Sequence, residues 1–443
     1  MKKFIFASIL LMFSACVEVD KYSELTKEEN QSNQGIFEVT PEDAMNVLSD
    51  FMIHSGFCMT KSGTERKILS FNTYYNDDID TKSSATVTYP NAYLVNFADN
   101  EGFAVLGANT SVAPIVAVVD RGNINPETLE ITDKFLENGE SDTSESIDWT
   151  TFDWYCEEDE DYYVMTNQRF VTNMIKGAID LQGNIYYAPP VSGETVIQTV
   201  EPLIELTWGQ GHWNTLSTFN KYCLKDNGKY ALAGCSTAAL AMIMAYNEAP
   251  KNYSVNKEKI LWDDIKAANI VSSLDALARE QVSLLYGSIF NNVTHLSTSQ
   301  GTLITPRQIE LLMKNELKYK NVIRHCDSEF TETMQRITET HLRNQKPLFI
   351  SAIENGNFFN GHSWVIDGMD VDILGNRLFH FNFGWSGTCN GHFSLSCFNP
   401  VHAVKYDTES SKNTDDYYDT NYNSHFRLIS YDLPDSLDIS LDF

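Results

Sequence analysis

Three side chains of this sequence carry the types and order that nucleophilic chemistry needs. Cys235 follows Gly234 and opens the run "GCSTAALAMIMAYN". A thiolate is the reactive form of cysteine, and a helix N-terminus stabilises it through free N–H groups and the macrodipole. Ala238, Ala239 and Ala241 suit close packing of such a helix under a cleft, with Leu240, Met242, Ile243 and Met244 as anchors. Gly234 leaves room for close approach of a substrate.

A nucleophilic cysteine needs a base, and the base needs an orienting group. His362 opens the apolar run "GHSWVIDGMD", 127 residues after Cys235. That position places an imidazole at the rim of a sheet. Asn382, in "FHFNFGWSGTCNGHF", lies 20 residues further on, on the expected next strand. Its amide oxygen is in place to accept from the imidazole and fix its tautomer, and Trp385 to cover that bond. His380 shares the strand face of Asn382 and is a rival base without the Gly-His opening. Gln210, between the glycines of "LTWGQGHW", offers a side-chain donor to a developing oxyanion.

Any one of these features alone is weak, because a cysteine before an apolar helix is usually a small buried hydrophobe. Their order makes the case. "WGQG", "AGCSTAALAMIMAYN", "GHSWVIDGMD" and "HFNFGWSGTCNGHFSLSCFNP" resemble, in sequence, the blocks of the streptopain-like cysteine proteases, bacterial members of the papain-like group. The Cys-to-His separation suits papain-type chemistry. The front stretch "AYLVNFADNEGFAVLGANTSVAPIVAVVDRGNINPE" resembles the family's autoinhibitory pro-domain.

The resemblance implies an α+β fold: a papain-like domain with a helical part and an antiparallel sheet part, preceded by a small α+β pro-domain. It implies an endopeptidase zymogen that acts on protein or peptide substrates, is inhibited by its own pro-domain, and uses no metal or organic cofactor. Cys235 would be the nucleophile and His362 the general base. Gln210 would be the oxyanion donor, with Asn382 and Trp385 completing the site. Two departures stand out: Phe383 occupies the place of the first Trp in the family's Asn-Trp-Gly-Trp-Gly pattern, and Ser386 that of its last Gly. Phe383 keeps an apolar wall and loses an indole N–H. A non-catalytic homologue serving as a surface binding or protease-inhibiting protein is the alternative, and a transpeptidase or amidase would use the same Cys-His chemistry.

The elements that must position these residues follow from pattern. The 443 residues suit two or three domains with a globular composition. A formal net charge of −28 argues against nucleic acid or an anionic membrane surface as partner. Residues 1–200 hold 12 Lys and Arg against 32 Asp and Glu, so the front is the more acidic part, with Glu157 to Asp161 as a charged run. Thr40 is an expected N-cap for "PEDAMNVLSDFM". "AYLVNF", "GFAVLGA" and "PIVAVV" are expected strands, the first two joined by a turn at "ADNEG". Residues 258–320 have mainly helical patterning, and "LFISAI", "GHSWVIDGMD", "RLFHFNFGWSG", "GHFSLSCF" and "FRLISYDL" are strand-like.

The expected organisation is an export signal at 1–16, a tether at 17–35, a pro-domain and connector at 36–200, and a catalytic domain at 201–443. The signal has two lysines, a short apolar stretch and Ser14-Ala15 before Cys16. Small residues before a cysteine resemble a bacterial lipobox, which makes Cys16 the expected lipidation site. Any membrane contact would then be through that anchor, at the bacterial envelope or outer surface. The eight cysteines contain no Cys-x-x-Cys pair, which weakens zinc and dithiol readings.

Overall fold

A computed structural model of the chain describes residues 37–60, 63–75, 89–126, 129, 171–172, 174–179, 187, 196–210, 219–224, 230–266, 276–297, 302–354, 357–387, 389–398 and 424–443. The expected export signal with Cys16, the expected tether, the acidic run 157–161, Pro189-Pro190 and the tail from 407 to 423 lie outside the described residues. Six helices of five or more residues are described in full: α1 (Pro41–His54), α2 (Cys235–Asn247), α3 (Trp262–Lys266), α4 (Ala276–Asn291), α5 (Pro306–Asn315) and α6 (Glu332–Arg343). The strands of the front are β1 (Ile68–Tyr74), β2 (Ala92–Phe97), β3 (Phe103–Gly107) and β4 (Ile115–Val119), followed by β5 (Val196–Val200). Short strands are β6 (Asn252–Val255), β7 (Glu258–Lys259), β8 (Leu296–Ser297) and β9 (Thr302–Leu303). The remainder are β10 (Lys320–Asp327), β11 (Leu348–Glu354), β12 (Asn357–Asp372), β13 (Arg377–Asn382), β14 (Gly391–Ser394), β15 (Ser424–Asp432) and β16 (Asp438–Leu441). The fold is α+β, with the helices packed on a large antiparallel sheet.

Local chemistry sets the helix starts. Thr40 caps α1 by accepting from the Asp43 N–H at 3.1 Å, and Pro41 sits where its missing N–H costs nothing. Thr305 and Gln308 form a reciprocal capping box on α5. Helix α2 is apolar on all sides, and Ser236 to Ala245 are buried, as suits a helix through the centre of a core.

The front unit and the rest share one sheet. Its eleven strands run β1-β2-β3-β4-β14-β13-β12-β11-β15-β10, with β5 paired to β12. The join is antiparallel: Gly391 faces Val119, His392 faces Val118 and Phe393 faces Ala117. Below the sheet, Tyr74, Leu94, Val105 and Val116 of the front pack in one cluster with Trp364, Phe381, Phe383 and Phe393. The contact between the front unit and the rest is thus a β-ladder over a common core. Residues 196–200, inside the expected connector, form a strand whose Val200 faces Met369.

The other face of the sheet carries the helical part. Helices α2, α4 and α5 pack there with Phe349, Val365, Ile429 and Tyr431. Side chains alternate along a strand. Along β12, Val365 joins the helical core while Trp364 and Ile366 join the shared core under the front unit.

Candidate active site

Gly234 sets the start of α2. It has φ +86°, and a Cβ there would lie 2.6 Å from the Thr302 carbonyl oxygen. The sequence suggested that this glycine makes room for substrate. The structure corrects that: the space is taken by the chain's own Thr302 backbone. Close packing of β9 on this turn holds Cys235 at the first residue of α2, where the helix N–H groups are unpaired by helix bonds. The Gly234 N–H donates to the Gln210 carbonyl at 3.2 Å, and Gly209 bridges to Trp385. The Gln210 loop therefore lies between the start of α2 and the aromatic turn.

Cys235 is half-buried. Burial pushes its thiol up, against hydrogen bonds from Ser363, from the Ser236 N–H and from its own N–H that favour the thiolate. Ser363 directly follows His362 on β12, so this contact ties the start of α2 to the strand that carries the base candidate, whose own side chain packs on Trp364, Phe383 and Trp385. The link is reinforced by a 3.0 Å hydrogen bond between the Ser236 and Ser363 hydroxyls.

His362 is buried, and its Nε2 lies 2.9 Å from the Phe383 carbonyl oxygen. A carbonyl only accepts, so in the neutral ring the proton sits on Nε2 and the basic lone pair on Nδ1. The ring stacks on Trp385 at 4.5 Å between centroids. Burial pulls the imidazole down to about 3, against the opposing effect of the Phe383 bond. Burial thus disfavours the charged form of both the thiol and the imidazole.

Asn382 does not act as the sequence suggested. Its Nδ2 donates to the Leu206 carbonyl at 2.9 Å, and its Oδ1 accepts from the Gly384 N–H at 3.2 Å. The amide is thus spent on shaping the turn after β13. The backbone carbonyl of the next residue orients the imidazole instead. The replacement of Trp by Phe at 383 consequently leaves the orienting group intact. Phe383 stacks on Trp385 at 5.0 Å, and its N–H donates to the Asn390 Oδ1 at 3.1 Å.

His380 is not a base for this site. Its Nδ1 lies 2.6 Å from the Asp367 Oδ1, and it packs against His392 with ring centroids 4.8 Å apart. His392 Nε2 lies 3.4 Å from Asp370, and Asp120 lies 3.8 Å from His380 Nε2. These groups form a buried cluster at the join between β4 of the front and β12 to β14. Among the described residues no group of three or more His, Cys, Asp or Glu is arranged to hold a metal ion. The described cysteines, Cys58, Cys223, Cys235, Cys326, Cys389 and Cys397, are free thiols.

The structure therefore gathers Cys235, His362, Trp385 and the Gln210 loop, gives Asn382 a neighbouring role, and sets His380 apart. Sequence reasoning missed Ser236, Ser363 and the Phe383 carbonyl. The signal for the first two was a serine directly after each of the candidate nucleophile and base.

Part of the chain is similar to known proteins. Residues 213–393 match the Peptidase C10 family. The chain is 23% identical over 234 residues to the thiol protease/hemagglutinin PrtT of Porphyromonas gingivalis, covering 48% of this chain and 25% of that protein. It is 23% identical over 208 residues to streptopain of Streptococcus pyogenes, covering 39% of this chain and 48% of streptopain. The chain thus spans about half or less of the length of these relatives. A solved fragment of Prevotella intermedia prointerpain A superposes with a TM-score of 0.45 at 15% identity, covering 81% of this chain and 98% of the fragment. The nucleophile helix, the imidazole strand and the aromatic turn all fall inside residues 213–393, the segment over which this chain is similar to the Peptidase C10 family.

Proposed function

We propose that the protein is an exported cysteine endopeptidase made as a zymogen, with the front of the chain as its intramolecular inhibitor. The observation that carries the reading is the thiol at the first residue of α2, held by the Ser363 of β12, together with the His362 imidazole of the same strand, whose tautomer the Phe383 carbonyl fixes and Trp385 covers.

The chemistry follows from those atoms. His362 Nδ1 takes the Cys235 proton, and the thiolate attacks a peptide carbonyl. The tetrahedral oxyanion receives the Cys235 N–H and the Gln210 side-chain amide. His362 then gives its proton to the leaving amine, and water hydrolyses the thioester. Burial disfavours charge on both partners, which suits a latent form. The continuous sheet at β4 and β14 and the shared core support the front as the inhibitory part. Maturation by cleavage between about 185 and 203 would remove it. Export and an anchor at Cys16 rest on the sequence of residues 1–16, and radiolabelled palmitate incorporation that survives Cys16→Ala would overturn the anchor.

The test is intact mass against time, at neutral pH with reductant, for the chain lacking residues 1–16 and for its Cys235→Ala variant. Loss of about 20 kDa, the share expected for a front segment of this length, from the parent only supports both parts of the reading. Stable parent protein that also fails to hydrolyse casein after removal of the front by an added protease refutes it.

A further inference from the structure

Ser236 and Ser363 are buried hydroxyls that the mechanism above does not use. The Ser236 Oγ donates to the Ile304 carbonyl at 2.9 Å. A hydroxyl has one proton and a carbonyl has none to give, so that bond uses the Ser236 proton. In the 3.0 Å Ser236–Ser363 contact the donor is therefore Ser363. The Ser363 hydroxyl also faces the Cys235 thiol. It has one proton and two acceptors within reach.

We propose that the Ser363 hydroxyl is a proton-donor switch for the nucleophile, bonded to Ser236 Oγ while Cys235 is a thiol and turned to Cys235 Sγ when it is a thiolate. Deprotonation creates the stronger acceptor. An O–H to anion bond is charge-assisted and exceeds a neutral hydroxyl pair. Rotation of Ser363 costs Ser236 only an accepted bond, because Ser236 keeps its bond to Ile304. No covalent bond changes in this step: the thiol proton goes to His362, and the Ser363 proton stays on its oxygen. Ser236 acts only through Ser363 and is a positioning residue.

The two hydroxyls have opposite effects, and this separates the switch from mere packing. Removing Ser363 takes a donor from the thiolate. The S–H lost as its partner in the thiol state is a weak donor, so the net loss falls on the thiolate. Removing Ser236 takes away the competing acceptor and leaves the Ser363 proton to Cys235.

The experiment measures iodoacetamide alkylation of Cys235 against pH, followed by peptide mass, in the full chain without its export signal. Ser363→Ala is expected to raise the alkylation midpoint by about one pH unit, which is about tenfold slower alkylation below the midpoint. Ser236→Ala is expected to lower it. Ser363→Thr keeps the hydroxyl and the parental midpoint, while Ser363→Val has the same shape and shifts as Ala does. That Thr and Val pair decides the matter if an alanine variant does not fold. Shifts of the same sign for Ser236→Ala and Ser363→Ala, or equal midpoints for Thr and Val, overturn the switch. The inference rests on Cys235 as the reactive thiol but not on turnover. Opposite shifts in a chain that cleaves no peptide would leave the switch and remove the peptidase, and cleavage without shifts would do the reverse.

Discussion

Substituting Gly391 by Ala should unfasten the front of the chain from the sheet that carries His362. Gly391 is where β14 meets β4. A Cβ at that residue would lie 2.4 Å from the Val118 carbonyl oxygen and 2.8 Å from the Val119 Cα. Both are backbone atoms, so no rotamer change relieves the contact. Ordinary contact for such atoms begins near 3.5 Å, and the strands must part by about 1 Å. Three register pairs join them, Gly391 with Val119, His392 with Val118 and Phe393 with Ala117, and the Asp120 N–H donates to the Asn390 carbonyl at 2.9 Å. A net contribution of about 1 kcal/mol per hydrogen bond, with two to four bonds stretched or lost, gives about 2–4 kcal/mol. Opening of the join would then be favoured by a factor of about 30–800. The assay is amide hydrogen exchange of peptides spanning 115–120 and 390–394, in a Cys235→Ala background to prevent self-cleavage. Protection should fall by that factor at the join while peptides from α4 and α5 keep theirs. With Cys235 restored, the loss of the front segment should accelerate. Protection at the join within about threefold of the parent would refute the reasoning that the glycine is needed for strand approach.

Asn382→Ala leaves the Leu206 carbonyl and Gly384 N–H without their partner in a buried turn, and should cost about 2–4 kcal/mol in urea denaturation. Phe383→Trp should keep peptidase activity within about twofold, because the orienting group is a backbone carbonyl. Trp385→Ala, which uncovers that bond, should lower kcat/KM by about 10- to 100-fold in casein or peptide assays. Burial pulls His380 down, but the Asp367 and Asp120 carboxylates outweigh it and raise the imidazole to about 10. A group raised on folding stabilises fully below its unfolded value near 6.5 and loses that contribution as pH rises toward 10. The urea midpoint of the Cys235→Ala chain should therefore decline between pH 7 and 10, and His380→Gln should flatten that decline.

The elements that place the site were largely legible because their causes are local. The spacing of Ala44, Leu48 and Phe51 and the cap at Thr40 give α1. The runs at 92–97, 115–119, 348–353 and 377–382 are strands in the structure. Strand β16 was missed: "DISL" alternates, but it gains its partner β6 from nearly 190 residues away in sequence, a pairing no local pattern contains. The residues that could do chemistry were visible from their types. What each would touch was not, because a side chain's partner is set by register. Asn382 was assigned to His362 by order alone, yet register and the turn at Gly384 put a backbone carbonyl there instead.

The front unit shows the same limit on a larger scale, and with a consequence for function. Read locally, residues 36–120 are a small α+β unit followed by an acidic stretch, and the natural inference is a separate body laid over a cleft. The ladder between 117–119 and 391–393 makes that unit the flank of the catalytic sheet instead. The flank reaches the site through few atoms: β4 pairs with β14, the Asn390 Oδ1 before β14 holds the Phe383 N–H, and the Phe383 carbonyl holds His362. Beside this path, Asp120 of the front meets His380 at the same join. An inhibitor that only covered a cleft would leave the imidazole untouched when removed. One that ends in the strand next to the imidazole's own support alters the backbone that fixes the tautomer when it departs. On the proposed zymogen reading, inhibition and alignment of the base are tied to one edge of one sheet, and Gly391, far from Cys235 in sequence, is the position where the proposed latency is most exposed to a single methyl group.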